Sequence, residues 1–284
     1  NIGILMVTLG LSQIPLYLMD NGTDARRAGQ VAYWVLSSFC LLSTYIFYKG
    51  FDGPVLSKSS VSKKDIKFLD LLTNGFMEAK NPRIMLAYIV SLTARADLTL
   101  KGTYIALWAV QSGMTQGFSP AKAMQQAGFV FGFMMVIGII THFSWGFFFD
   151  RVNRVTATAV SMFFGAAGYM SMYFVPSPLD FNYLPFFALL SIGSATSIAV
   201  SIGLSGQESS PQNRGSIMGM IGLFGAVGIM ITQFIGGRLF DAWGPSWPFI
   251  IVGIFQAFIM IMAIIVRILA PGGREGKQKL AKNI

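Results

Sequence analysis

Eight stretches of the chain stay apolar long enough to cross a membrane's hydrocarbon layer, which takes roughly 20 residues as a helix. They cover residues 1–19, 30–48, 84–110, 123–148, 154–176, 183–205, 214–239 and 247–269. Within each run apolar residues are nearly continuous. The strands of a membrane barrel instead alternate over about ten residues, so the runs predict helices, which satisfy their own backbone N–H and C=O groups where lipid cannot. The expected fold is all-α, a polytopic bundle with eight transmembrane helices.

The segment between the second and third runs is different. Ile66, Leu69, Leu72 and Phe76 recur at helical spacing among Lys63, Lys64, Lys67 and Glu78. That pattern predicts an amphipathic helix on the membrane surface, inside a linker. The expected organisation is two helices of a first bundle (1–50), a central cytoplasmic loop (51–83), a six-helix bundle (84–270) and a basic cytoplasmic tail (271–284). Asn1 opens directly into apolar residues with no basic leader. An upstream part of the same protein is therefore expected as a partner, with membrane lipid as the other.

Composition agrees with the pattern. Hydrophobic residues make up 54% of the 284 and charged ones 12%, about half the charge of a soluble domain. The net charge of +9 does not point to nucleic acid, because the cations sit between apolar runs. Lys49, Lys58, Lys63, Lys64, Lys67, Lys80, Arg83, Arg151, Arg154, Arg214, Arg267, Arg274, Lys277, Lys279 and Lys282 fall on one side of the expected topology. Only Arg26, Arg27, Lys122 and Arg238 fall on the other. This asymmetry places the chain in the inner (cytoplasmic) membrane with both ends cytoplasmic. Cys40 and His142 are single residues of their kinds, so no disulfide, metal site or cofactor is expected. The glycines of residues 272–276 lack the spacing, the hydroxyl and the preceding strand of a phosphate loop.

The third run carries the chemistry. Arg95, Asp97 and Lys101 lie inside it, and Asp97 is the one acidic residue in mid-span. Thirteen residues past Ile84 corresponds to roughly 20 Å of helix rise. Asp97 and Lys101 share a helix face at i,i+4 and are expected to pair. Arg95 points nearly the opposite way and requires a partner from another helix. Tyr104 and Trp108 lie further along and extend the candidate lining of a central, hydrated path. Ser191, Ser194, Thr196, Ser197 and Ser201 on the sixth run and Gln233 on the seventh are weaker candidates. Gly215, Gly219, Gly222, Gly225 and Gly228 on the seventh predict close helix packing.

Two loops carry patterns. The first is Gly146-Phe147-Phe148-Phe149-Asp150-Arg151-Val152-Asn153-Arg154, and the second runs from Arg214-Gly215 to Gly236-Gly237-Arg238 and Asp241. The first resembles the G-x-L-x-D-R-x-G-R signature of the major facilitator superfamily, with Phe148 for the usual Leu and Asn153 for the usual Gly. The resemblance implies that the runs are helices five to twelve of twelve. It also implies that Gly146, Asp150, Arg151, Arg154 and Arg214 form a gate, with Glu208 as the acid opposite the arginines. The expected function is secondary active transport of a small-molecule substrate by alternating access, coupled to protons through Asp97, and not catalysis. An uncoupled facilitator is the alternative within transport, and a membrane enzyme or sensor using the same cavity is the alternative outside it.

Overall fold

The computed structural model describes residues 13–50, 68–210 and 213–270. Among them, helices α1 (Gln13–Asp20), α2 (Ala25–Gly50), α3 (Phe68–Glu78) and α4 (Pro82–Leu100) come first. A π-helical turn (Lys101–Ile105) joins α4 to α5 (Ala106–Thr115). Then follow α6 (Pro120–Arg151), α7 (Arg154–Ser171), α8 (Leu184–Glu208), α9 (Arg214–Trp243) and α10 (Trp247–Leu269). Short 3-10 turns at Met172–Phe174 and Phe181–Tyr183 lie between α7 and α8. The described residues are all-helical.

Six helices are long and apolar enough to cross a membrane: Arg26–Gly50, Pro120–Arg151, Arg154–Phe174, Phe181–Glu208, Arg214–Trp243 and Trp247–Leu269. The chain is a multi-pass helical membrane protein. The expectation of eight spans is thus met for six. Residues 1–12 of the first run lie outside the described residues, as do 51–67 of the loop and the tail from 271. The third run exists as α4, the π turn and α5, but its three charges and its break in helix type set it apart from the six.

The chain divides into two units, Asn1–Lys67 and Phe68–Ile284. In the first, α1 closes at Gly22, whose φ of 82° favours glycine, and α1 packs against α2. Helix α2 is apolar all round, with Tyr33, Trp34, Phe39, Leu41 and Leu42 exposed, as expected of a helix solvated by lipid. Its Ser37, Ser38, Ser43 and Thr44 hydroxyls donate to carbonyls four residues back at 2.8–2.9 Å, so they leave no polar group unsatisfied in the apolar surroundings.

In the second unit α4 is central, contacting α8, α9 and α10, while α7 packs between α8 and α10. Its start is set by Asn81, whose side chain accepts from the Arg83 N–H at 3.0 Å, and by Pro82 at the first helical position. Asn153 caps α7 in the same way, accepting from the Val155 N–H at 2.9 Å. Helices α7 and α8 approach closely because a Cβ at Gly168 would meet the Leu190 backbone at 2.7 Å, and one at Gly193 would meet Gly165. Small residues permit this where packing replaces the hydrophobic drive.

The expected surface helix is partly internal. Leu72 and Ala79 join the cluster of Ile84, Tyr88, Ile217, Met220 and Ile221. The Tyr88 hydroxyl donates to Gly75 O at 2.9 Å, and Asn213 Nδ2 donates to Glu78 Oε1 at 2.6 Å. These bonds dock α3 onto α4 and α9, with Leu72 packed inward and Phe76 left 54% exposed.

Candidate functional site

The buried face of α4 and its continuation explains the π turn. Thr93, Asp97, Lys101, Ile105, Ala109 and Gly113 are buried at a spacing of four residues. An α-helix repeats every 3.6 residues, so such a stripe drifts by about 40° per step. One wider turn at 101–105 takes back part of the drift and keeps the stripe against its neighbours. Single π turns of this kind are frequent at functional sites.

Asp97 is 1% exposed and Lys101 8% exposed. Both point into the interior of the second unit. The expected ion pair between them is absent, because no Lys101 nitrogen lies within 4.0 Å of the carboxylate among the described contacts. Asp97 instead accepts from Gln256 Nε2 of α10, at 3.2 Å to one oxygen and 3.3 Å to the other. Lys101 donates to Ser194 Oγ of α8. Ser194 donates on to Ser191 O at 3.3 Å, and Ser191 donates to Met134 O of α6 at 2.5 Å. Lys101 remains near enough to act electrostatically on Asp97. A charge at this depth costs ~2.5–3.5 kcal/mol on insertion scales unless it is partnered, and the two residues meet that cost through different helices.

Two further groups complete the cluster. The Tyr169 hydroxyl of α7 is directed toward Asp97 but, like Gln256 Oε1, has no hydrogen-bond partner of normal length among the described residues. Gly165 makes the arrangement possible, because a Cβ there would fall 2.9 Å from Gln256 Cδ. Neither Tyr169, Gln256 nor Gly165 was expected from sequence. Gln256 did leave a signal: it is the one amide or charged side chain between Trp247 and Val266. The hydrated chamber expected around Asp97 is therefore a packed interior, closed by α7, α8 and α10.

Arg95 stands apart. It is exposed, and its aliphatic stem lies against Gly225 of α9, where a Cβ would fall 2.8 Å from Arg95 Cγ. Tyr104 turns toward α9 and away from Asp97's partners, donating to Gln233 O at 3.1 Å and packing on Gly236. Trp108 is buried against Phe249, 6.2 Å between ring centroids. Both belong to the apolar core cluster and line no open path there. The α8 hydroxyls mainly tie helices together: Thr196 accepts from Ser161 at 2.7 Å, and Ser201 donates to Ala87 O at 3.1 Å. Ser197 donates to Gly193 O of its own helix at 2.9 Å. His142 is exposed, with Nδ1 2.6 Å from Gly138 O. A cavity of about 530 Å³ lies among α4, α9 and α10, lined by groups such as Leu92, Gly228, Ile231 and Phe255. It is apolar and includes none of the three charges.

The expected gate does not assemble as proposed. Glu208 pairs with Arg83, at the start of α4, and not with Arg151 or Arg154. Arg154 lies 3.6 Å from Asp150, across the break between α6 and α7, and stacks over the Phe149 ring at 4.0 Å. Asp150, Arg151 and Gly146 are exposed, as is Arg214 at the start of α9. Asn153, beside them, caps the start of α7.

No family model matches the chain. The resemblance to the major facilitator superfamily is corrected on that ground and by the relatives found. Of the loop residues on which it rested, Asn153 acts as a helix cap. The chain is 29% identical over 196 residues to the magnetosome protein MamH of Paramagnetospirillum magneticum, covering 69% of this chain and 45% of that protein. It is 26% identical over 185 residues to the magnetosome protein MamZ of the same organism, and equally to that of Magnetospirillum gryphiswaldense, covering 64% of this chain and 28% of each. The chain thus spans less than half the length of the curated relatives it matches.

Proposed function

We propose that the chain is part of a secondary carrier that moves a small solute across a membrane by alternating access, with Asp97 as the group that takes up and releases a proton. The observation that carries this reading is the Asp97 cluster. A carboxylate sits in the interior of the second unit, 1% exposed, held by a neutral amide and with its nearest expected cation engaged elsewhere. A static scaffold would be better served by a direct ion pair or by apolar residues. A carboxyl held by a neutral donor can change protonation without breaking a salt bridge. In pumps and transporters, intramembrane carboxylates of this kind serve as proton relays.

The same reading takes α4, the π turn and α5 as a seventh span and the run at 1–19 as an eighth, with both ends cytoplasmic. The relatives' names favour a magnetosome membrane as its location. Counterflow tests the carrier reading. Vesicles holding the complete natural protein are preloaded in turn with phosphate, citrate, lysine, choline or glucose, and the labelled compound is added outside. Transient accumulation of one of them is expected. Uptake no greater than in empty vesicles for all five, or chemical conversion of the compound, contradicts the reading.

A further inference from the structure

We infer that the solute is an anion and that Arg95 binds it on the exposed face shared by α4 and α9. The inference rests on the carrier reading, since it takes this face to line the solute's path. It starts from how the three mid-span charges are distributed. Asp97 and Lys101 turn into the unit, where Gln256 and Ser194 engage them. Arg95 alone turns outward, and no described residue gives it a hydrogen bond or an ion pair.

The face around Arg95 suits a negatively charged ligand. Arg95 lies twelve residues beyond Arg83, or roughly 18 Å of helix rise, which on the reading of α4 as a span places it within the hydrocarbon layer of about 30 Å. Its stem is held in the notch at Gly225, so the guanidinium is aimed by packing. Guanidinium groups match carboxylate and phosphate oxygens with paired N–H donors. Beside it α9 offers room: Gly219 and Ala226 are exposed, and a Cβ at Gly219 or Gly222 would meet nothing within 4 Å. Two turns further on, Gln233 Nε2 donates to Thr103 Oγ1 at 3.4 Å, adding an amide and a hydroxyl to the same side. Among the described residues this face carries no mid-span carboxylate.

The test is ligand-induced thermal stabilisation of the complete protein in detergent at constant ionic strength. The probes are inorganic phosphate, sulfate and citrate, with choline, lysine and glucose as controls. At least one anion is expected to stabilise the wild type, and the controls are not. Arg95→Gln should weaken that anion's apparent affinity at least about tenfold, while Arg95→Lys retains most of it. Gly222→Leu keeps the charge but fills the space beside it, and should weaken binding if Arg95→Gln fails to fold. No response to any of the three anions overturns the inference, as does stabilisation by choline, lysine or glucose alone. So does unchanged anion affinity in Arg95→Gln, or in Gly222→Leu where Arg95→Gln does not fold. Anion binding that Arg95→Gln weakens, without counterflow, upholds the Arg95 anion site and contradicts the carrier reading, whereas counterflow of a cation upholds the carrier reading and overturns the inference.

Discussion

Gln256 reaches Asp97 across the bundle because Gly165 leaves space for its carboxamide. Replacing Gln256 by Leu removes both bonds to the carboxylate and leaves its oxygens without their amide donor, a loss of ~1–3 kcal/mol for a buried acceptor. A lowered unfolding midpoint in detergent is the expected reading. Gly165→Ala should act on the same contact by overpacking, at ~1–3 kcal/mol, and combining it with Gln256→Leu should cost less than the sum of the two, since both disturb one site. Strict additivity would mean that Gly165 and Gln256 act separately. The sequence showed that Asp97 and Lys101 share a face, because that follows from four-residue spacing alone. It did not show that they decline to pair. Their partners lie 159 and 93 residues away along the chain, and which of several buried donors wins is settled by packing between helices.

At the scale of elements, the end of the unit near Arg83 separates an internal ion pair from a surface one. Arg83 and Glu208 are 8% and 16% exposed at their side chains and join α4 to α8, whereas Asp150 is 80% exposed and reaches only Arg154, just across the break between α6 and α7. Removing one partner of a buried pair costs ~3–5 kcal/mol, and an exposed pair is worth about 0–1 kcal/mol. Glu208→Gln should therefore destabilise the protein strongly, and Asp150→Asn hardly at all, measured by the same unfolding assay. Equal effects would argue against this division of roles. The loop pattern was legible as residues but misleading as a gate. Helix ends draw on a small set of caps and cations whatever the fold, and Asn153 as a cap explains one of the two departures from the pattern. The π turn was not legible, since it arises from a four-residue burial stripe that appears only once neighbours define which side is inside.

For the molecule as a whole, six of the eight apolar runs coincide with helices long and apolar enough to cross a membrane, because lipid imposes both their length and their composition. The third run escaped that rule by carrying charges, and it is the one on which the proposed chemistry rests. Location follows from the relatives only by proposal. Fractionation of a magnetosome-forming cell should recover the tagged complete protein with magnetosome membranes, and recovery only with the bulk cytoplasmic membrane would contradict it. The most direct test of the central claim uses vesicles with the complete protein and whichever probe shows counterflow. Wild type should accumulate that solute under an imposed pH gradient. Asp97→Asn should lose gradient-driven accumulation while still exchanging the solute. If the Asp97→Asn protein continues to respond to the pH gradient as wild type does, Asp97 does not carry the proton.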